Sequence, residues 1–177
     1  MATIYYTATS LDGFLATKEN DLSWLDALPQ PNTDTYGPFI ANVGALCMGA
    51  ATYEFLLAHV AKGNPWPYQQ PTWVFTHRNL PTPAGADIRF VSGEVAPVHA
   101  LMVVAAAGKD VWVCGGGELV GQFLDRGLLD ELVITVAAQT IGAGKPLLPR
   151  MARLRLVSAK MLGAGFAELR FVPRRNS

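Results

Sequence analysis

The sequence predicts an α/β fold: a mostly parallel central sheet with helices on both faces and an antiparallel C-terminal hairpin. Short apolar runs typical of buried strands alternate with segments of helical periodicity through most of the chain, which indicates parallel strands joined by helices. Residues 154–161 and 166–172 then alternate around a Gly-Ala-Gly turn at 163–165, which predicts the hairpin. No linker, repeat or low-complexity segment interrupts the 177 residues, so we expect a single domain over residues 1–177.

The first half of the chain supplies three predicted strands and two predicted helices. Residues 3–9 are rich in β-branched and aromatic side chains, which favours a first strand, and a loop is expected over residues 10–31. A short helix is predicted over residues 34–42, because the apolar residues there fall on one side. A second buried strand, a helix and a third strand are predicted at residues 45–48, 53–61 and 72–76.

The second half is built around a strand, a glycine turn and a helix. Apolar residues recur at helical spacing from Val98 to Ala105, which predicts a helix before that unit. Residues 111–114 form an apolar strand, three glycines follow, and a helix opens at Glu118 and ends at Gly127 as its cap. Two further strands are predicted at residues 88–91 and 132–136.

Composition narrows the function classes. The 14 basic residues balance the 14 acidic ones without a Lys/Arg cluster, so charge gives no argument for nucleic acid or anionic membrane partners. No apolar run approaches the roughly 20 residues of a membrane span, and the N-terminus does not resemble a signal peptide. Cys47 and Cys114 lie in apolar segments, which suits buried thiols in a cytoplasmic protein. The three histidines lack metal-ligand spacing, so no metal is predicted.

Four turns follow the carboxyl ends of predicted strands, where ligands bind in open α/β sheets; they lie at residues 10–13, 49–52, 76–78 and 114–118. The turns at 49–52 and 114–118 also open helices, whose N-termini offer N–H groups and a partial positive charge to a pyrophosphate. The turn at 76–78 offers Arg78 to a further phosphate, such as the one that distinguishes NADPH from NADH. The alternative is that these glycines only form tight turns. The spacing of the glycines fits neither the Rossmann fingerprint nor the phosphate-binding loop of nucleoside triphosphatases.

Three segments resemble a known superfamily. Residues 46–54, Leu-Cys-Met-Gly-Ala-Ala-Thr-Tyr-Glu, resemble the Met-Gly-Arg-x-Thr-Tyr/Trp-Glu segment of dihydrofolate reductase. Residues 113–118, Val-Cys-Gly-Gly-Gly-Glu, followed by Gln-Phe-Leu at 122–124, resemble its Gly-Gly turn and helix. Residues 10–13, Ser-Leu-Asp-Gly, with Leu15-Ala16 and the downstream Ser23-Trp24, are closer to the reductase domain of the bifunctional riboflavin-biosynthesis deaminase–reductase. The motifs occur in the right order, and the resemblance spans nearly the whole chain.

The resemblance implies a three-layer dihydrofolate reductase-like fold, bound NADPH, a small-molecule substrate and a homodimer. It also implies a cis peptide between Gly115 and Gly116. The residues that it places against the cofactor are Gly49, Ala50, Thr52, Thr76, His77, Arg78, Cys114, Gly115, Gly116, Gly117, Glu118 and Leu119, and those that it places at the substrate are Ser10, Trp24 and Tyr36.

Two aspartates, Asp34 and Asp12, are the candidates for the catalytic acid. The folate enzyme keeps one buried carboxylate to protonate its substrate, and Asp34 lies near the matching spacing, although Asp34 also suits the start of a helix. Asp12 belongs to the Ser-Leu-Asp-Gly motif, although an aspartate there also suits the bracing of a turn. The family's arginine is replaced by Ala50, which removes one phosphate contact and weakens the argument for NADPH over NADH.

The resemblance therefore implies an NADPH-dependent reductase that passes a hydride to a small heterocycle or to a ribosylamino-pyrimidine, as in 5-amino-6-(5-phosphoribosylamino)uracil reduction. The motif at residues 10–13 favours the riboflavin-type reaction over folate reduction, which is one alternative. A second alternative is an NADP(H)-binding protein without turnover, for which the absence of arginine at position 50 leaves room. A third is a structural homodimer joined through the C-terminal hairpin.

Overall fold

The computed structural model describes residues 1–174. Within that range the chain forms ten strands and five helices. The strands are β1 (Thr3–Ser10), β2 (Phe14–Ala16), β3 (Val43–Gly49), β4 (Thr72–Phe75), β5 (Ile88–Val91), β6 (Asp110–Gly115), β7 (Glu131–Ala137), β8 (Lys145–Pro146), β9 (Leu154–Met161) and β10 (Phe166–Pro173). The helices are α1 (Ser23–Asp26), α2 (Tyr36–Ala41), α3 (Ala50–Val60), α4 (Val95–Ala106) and α5 (Gly117–Asp125).

Eight strands form one sheet in the order β5-β4-β3-β6-β1-β7-β10-β9. The six strands from β5 to β7 pair in parallel, and β10 and β9 add the antiparallel hairpin at one end. The first strand of the chain therefore lies in the middle of the sheet, between β6 and β7. Strands β2 and β8 form a separate two-stranded ribbon.

Helices cover both faces of the sheet. On one face, α4 and α5 contribute Met102 and Phe123 to a core with Tyr5 and Cys47, all fully buried. On the other face, α3 contributes Tyr53 to a core with partly buried residues of α2 and with residues of β3, β4 and β6. The successive residues 45–48 of β3 are all buried, and they alternate between the two cores, as expected of a central strand in a three-layer fold.

The main differences from the sequence prediction lie before β3 and after β7. The stretch 10–31, predicted as a loop, contains β2 and α1, and β8 was not predicted at all. These elements are two to four residues long, so they leave no periodicity to detect. Helix α3 begins at Ala50, three residues earlier than predicted. Gly127 has φ +65° just after α5, which confirms its predicted capping conformation. No helix in the described part of the chain is long and apolar enough to cross a membrane.

Candidate active site

A cleft of about 580 Å³ opens beside the carboxyl ends of β1 and β6, and we refer to it as the first cleft. It includes much of the predicted glycine turn. Its walls come from β1, the β2–α1 segment, the start of α3, the β6–α5 turn and the segment around β8. The lining residues are Thr7, Ala8, Leu15, Ala16, Asn20, Leu22, Leu25, Ala51, Thr52, Phe55, Cys114, Gly115, Gly116, Gly117, Glu118, Lys145, Pro146 and Pro149.

Two helix N-termini converge on this cleft. Gly49 is the N-cap of α3, Gly116 is the N-cap of α5, and neither helix has a side-chain capping bond. A Cβ atom built on Gly49 would lie only 3.9 Å from the backbone N of Gly116, so the two N-termini almost touch. The first helical bond of α5 runs from the N–H of Val120, which leaves the earlier N–H groups available to an anion.

The glycine turn has the backbone expected from the resemblance. The Gly115–Gly116 peptide is cis, which confirms the prediction, and Gly115 has φ +127°. Gly116 faces open space, since a Cβ atom there would meet no heavy atom within 4 Å. Cys114 also lines the cleft, and burial raises the pKa of its thiol well above the ordinary value, so a neutral sulfur faces the cleft.

Charge at the first cleft is partly neutralised within the protein. Glu118, in the first turn of α5, accepts hydrogen bonds from Arg150 at 2.6 and 3.1 Å. These bonds lower the pKa of Glu118 and offset the repulsion that its carboxylate would exert on a phosphate. Arg150 also donates to Asp125 at 2.9 Å. Lys145 lines the cleft and adds a positive charge.

The turn after β4 lies outside the walls of the first cleft. Arg78 is exposed and donates two hydrogen bonds of 2.8 Å to the carboxylate of Glu54, on the second turn of α3. Its backbone N–H also binds the hydroxyl of Thr76 at 3.0 Å. His77 is exposed. A phosphate at Arg78 would therefore compete with the Glu54 carboxylate.

A second cleft of about 530 Å³ adjoins the first, and the two share Thr7, Ala8 and Leu25. Asp34 and Tyr36 line it, so two of the predicted site residues do lie together. Asp34 is exposed and its Oδ1 accepts a hydrogen bond of 2.9 Å from the N–H of Gly37, which is the helix-start contact that was its alternative interpretation. The remaining lining residues are Tyr6, Asp26, Gln30, Pro31, Thr33, Thr35, Thr135, Leu162 and Phe166.

Comparison with known proteins identifies the family. Residues 65–167, more than half of the chain, match the family model described as the RibD C-terminal domain. The chain belongs to this family. It is also 32% identical over 166 residues to the uncharacterized protein YwjB of Bacillus subtilis strain 168, with 91% of this chain and 92% of YwjB covered.

Solved structures agree with the family assignment. A putative riboflavin biosynthesis protein from Shewanella sp. PV-4 is 28% identical and superposes with a TM-score of 0.84 over 99% of this chain and 100% of that one. Dihydrofolate reductase from Enterococcus faecalis, solved with NADP(H), is 14% identical with a TM-score of 0.62 over 98% and 97% of the two chains, a likeness that shows the fold alone. The dihydrofolate reductase-like fold and the kinship with the riboflavin-type reductase domain are thereby confirmed.

Asp12 and Ser10 hold a turn together and lie outside the walls of both clefts. Ser10 is buried and donates to Asp12 Oδ1 at 2.6 Å. Asp12 Oδ2 accepts the N–H of Gly142 at 2.7 Å, and the N–H of Ile141 lies 3.2 Å from each carboxylate oxygen. These contacts hold residues 10–14 against the loop after β7, so the structure supports the bracing interpretation of Asp12 and places Ser10 away from the predicted substrate contact.

The same contacts predict a pH-dependent stability. The hydroxyl of Ser10, and then the N–H groups of Gly142 and Ile141, lower the pKa of Asp12. Its contribution is therefore present above the ordinary aspartate pKa of about 3.9 and is lost as the pH falls through the lower pKa of the folded state. We expect the difference in Tm between wild type and Asp12→Asn to be largest near neutrality and to shrink below about pH 4. A difference that stays constant across that range, measured by thermal unfolding, would contradict this assignment.

Two other predicted site residues face away from the clefts. Trp24 was predicted at the substrate, but its ring is 7% exposed and packs in a small apolar cluster with Leu162 and Phe166. Leu119 was predicted at the cofactor, but its side chain is 7% exposed and belongs to the main core. Only the backbone N–H of Leu119, in the first turn of α5, remains as a ligand donor.

Sequence reasoning missed a large part of the first cleft. Ala51 lines it, whereas Ala50, which occupies the position of the family's arginine, does not. Phe55 is 42% exposed on α3, and an apolar side chain on the outer side of that helix was an available signal. Leu15 and Ala16 belong to the motif that resembles the riboflavin-type reductase domain, but they were not assigned to the site. The other missed residues of the walls carried no local signal; they are Thr7, Ala8, Asn20, Leu22, Leu25, Lys145, Pro146 and Pro149.

Proposed function

We propose that this protein is an NADPH-dependent reductase that passes a hydride to a small heterocyclic or ribosylamino-pyrimidine acceptor. The observation that carries the proposal is the convergence of the α3 and α5 N-termini, neither of them capped by a side chain, on the cleft at Gly116. The Enterococcus reductase of the same fold was solved with NADP(H), which supports the same class of cofactor here.

The residues present fit a dinucleotide. Gly49, Thr52 and the first turn of α3 would meet the pyrophosphate from one side, and Gly116, Gly117 and the first turn of α5 from the other. Open space at Gly116 lets the backbone approach the phosphates closely. The bound nicotinamide would supply the hydride. The apolar wall formed by Leu22, Leu25 and Phe55 would shield the nicotinamide from water.

The second cleft would hold the acceptor, because it is joined to the first at Thr7, Ala8 and Leu25. Asp34 is our candidate for the proton source, since it lines that cleft and commits only Oδ1 to α2. Asp12 does not suit this role, because both of its carboxylate oxygens accept hydrogen bonds within the turn that it braces and it lines neither cleft. The protein would therefore contribute placement and one proton.

Titration of the purified protein with NADPH and then NADH tests the proposal. Quenching of tryptophan fluorescence would report binding, with calorimetry as an independent control. Saturable NADPH binding, followed by NADPH oxidation in the presence of a pteridine, dihydrofolate or ribityl-pyrimidine acceptor, is the expected result. Absence of binding by both methods would reject the cofactor assignment.

A binding protein without turnover is the second candidate. One observation favours it: Asp34 is exposed and already bonded to the N–H of Gly37, unlike a carboxylate held solely for proton transfer. Acceptor-dependent oxidation of NADPH separates the two functions. Tight NADPH binding with no oxidation by any of these acceptors would favour the binding protein.

Arg78→Ala provides a test of coenzyme recognition. If Arg78 binds the 2′-phosphate, its removal should weaken NADPH binding by roughly fivefold or more and leave NADH binding nearly unchanged, because only NADPH carries that charge. Competition from Glu54 keeps the expected effect moderate. Dissociation constants for both coenzymes measure it. Glu54→Gln is the matched control and should strengthen NADPH binding, whereas equal losses for NADPH and NADH in Arg78→Ala would remove the assigned role.

A further inference from the structure

A further cavity, of about 770 Å³, lies at the end of the sheet opposite to the first cleft, and we refer to it as the amino-end cavity. It is lined by residues that directly precede β7 and β9 and by residues at the end of β10, which meet at one edge of the sheet. It shares no lining residue with the first or the second cleft. A ligand bound here would therefore not compete directly with the cofactor or the acceptor.

One wall of the amino-end cavity is acidic. It comes from the end of α5 and the loop before β7, residues 124–130, and carries Asp125 and Asp130. Each aspartate uses its Oδ2 within the protein, Asp125 for Arg150 at 2.9 Å and Asp130 for the N–H of Thr3 at 2.8 Å. In the described part of the chain, Oδ1 of each carboxylate accepts no hydrogen bond. The carbonyl groups at the end of α5 add partial negative charge, so this wall favours an ammonium group.

The other wall of the amino-end cavity is basic. It comes from residues 151–153 and 173–174 and carries Arg153 and Arg174. The N–H of Arg174 donates to the carbonyl oxygen of Arg153 at 2.8 Å, which continues the antiparallel pairing of β9 and β10 by one residue. Directly paired residues project from the same face, so both guanidinium groups lie on one side, where they line the cavity. Two neighbouring guanidinium groups favour a carboxylate.

The two charged walls are not joined to each other. Within residues 1–174, Arg153 and Arg174 form no salt bridge, Asp125 pairs only with Arg150, and Asp130 pairs with no basic side chain. A simple anion would meet the aspartates as well as the arginines, and a simple cation would meet the reverse. A ligand that carries both charges would satisfy both walls at once.

Apolar side chains complete the lining. Leu124, Leu129, Met151 and Pro173 also line the cavity, and Met151 is fully exposed. An exposed methionine is adaptable enough to cover apolar groups of a ligand. The volume is large for a single amino acid and lies in the range of cavities that hold larger small molecules. Size and lining together favour a dipeptide with apolar side chains.

We infer that the amino-end cavity binds a zwitterionic ligand of dipeptide size with apolar side chains. Arg153 and Arg174 hold its carboxylate, and Asp125 and Asp130 hold its ammonium group. The site is separate from the proposed reductase site and does not depend on that function.

Three probes with the same side chains test the inference by calorimetry on the full chain. Leucylleucine is a zwitterion, N-acetyl-leucylleucine is an anion, and leucylleucine amide is a cation. We expect leucylleucine to bind at least about fivefold more tightly than either analogue, because each analogue leaves one wall without its partner. The inference would be overturned if either analogue bound as tightly as leucylleucine, or if leucylleucine showed no saturable binding.

The same titrations with saturating NADPH test the location of the site. The affinity for leucylleucine should be unchanged, because the amino-end cavity and the first cleft share no lining residue. Displacement of leucylleucine by NADPH would overturn the assignment to a separate site. The titrations without NADPH decide the ligand class even if the proposed reductase function is wrong.

Arg153→Gln tests the basic wall. It should weaken the binding of leucylleucine and of its N-acetyl analogue at least about fivefold and leave the amide nearly unaffected. Arg155→Gln is the matched control, since Arg155 is exposed on β9 but does not line the cavity, and it should leave all three affinities unchanged. Unaltered affinity for leucylleucine in Arg153→Gln would overturn the role of the basic wall. Arg174→Gln is the second variant for the same wall and should give the same pattern.

Discussion

Gly116→Ala is expected to weaken NADPH binding by at least roughly tenfold, about 1.4 kcal/mol, while the protein keeps its Tm. The substituted backbone is undemanding, because Gly116 has φ −71° and a Cβ atom would meet no protein atom within 4 Å. The new methyl group would instead project into open space at the first cleft, which Gly116 lines. A phosphate would then be kept from the N–H groups of the first turn of α5.

Fluorescence titration of the Gly116→Ala protein measures its affinity for NADPH, and thermal unfolding of the same sample measures its Tm. Gly127→Ala provides a control, because Gly127 follows α5 outside the first cleft and should affect stability rather than affinity, given its φ of +65°. Unchanged NADPH affinity in Gly116→Ala would mean that the glycine turn does not hold the pyrophosphate.

Gly117→Ala, unlike Gly116→Ala, should destabilise the protein. We expect a loss of about 2–3 kcal/mol in the free energy of unfolding. A Cβ atom on Gly117 would overlap the backbone carbonyl oxygens of Pro146 and Leu147. Because these atoms belong to the backbone, the overlap can be relieved only if residues 146–147 move away from α5. Denaturant unfolding monitored by fluorescence gives the free energy.

Gly49→Ala is the matched variant for that experiment. Gly49 is also a helix-terminal glycine at the first cleft, but its nearest contacts for a Cβ atom are 3.8 and 3.9 Å and its φ is −81°. It should therefore fold with nearly wild-type stability. Equal stabilities of Gly117→Ala and Gly49→Ala would show that the packing of residues 146–147 on α5 contributes little.

The parts of the site that the sequence predicts are those encoded by local pattern. The glycine turn is recognisable because a strand, three glycines and an amphipathic helix follow one another within 15 residues. The start of α3 is recognisable for the same reason, through the strand that precedes it. Both turns end parallel strands, so their proximity follows from the fold class alone.

The remaining walls depend on contacts between distant parts of the chain. Pro146 meets Gly117, and Lys145 pairs with Ala16 across the β2–β8 ribbon, and neither contact has a local signature. The position of Trp24 also depends on distant contacts that the local sequence does not reveal. The resemblance places Trp24 at the substrate, but the ring, on the four-residue helix α1, packs in the apolar cluster with Leu162 and Phe166.

The central position of β1 has a consequence for the biogenesis of the protein. Thr3, at the start of β1, bonds to Asp130, just before β7, and the two residues are 127 positions apart. At a ribosomal rate of roughly 5–20 residues per second, the partner strand follows about 6–25 s after β1 has been made. During that time an aromatic, β-branched strand has neither neighbour, since β6 is also synthesised late. Strand β1 is thus translated well before both of its neighbours, and its exposed edges can be paired only once β6 and β7 have been made.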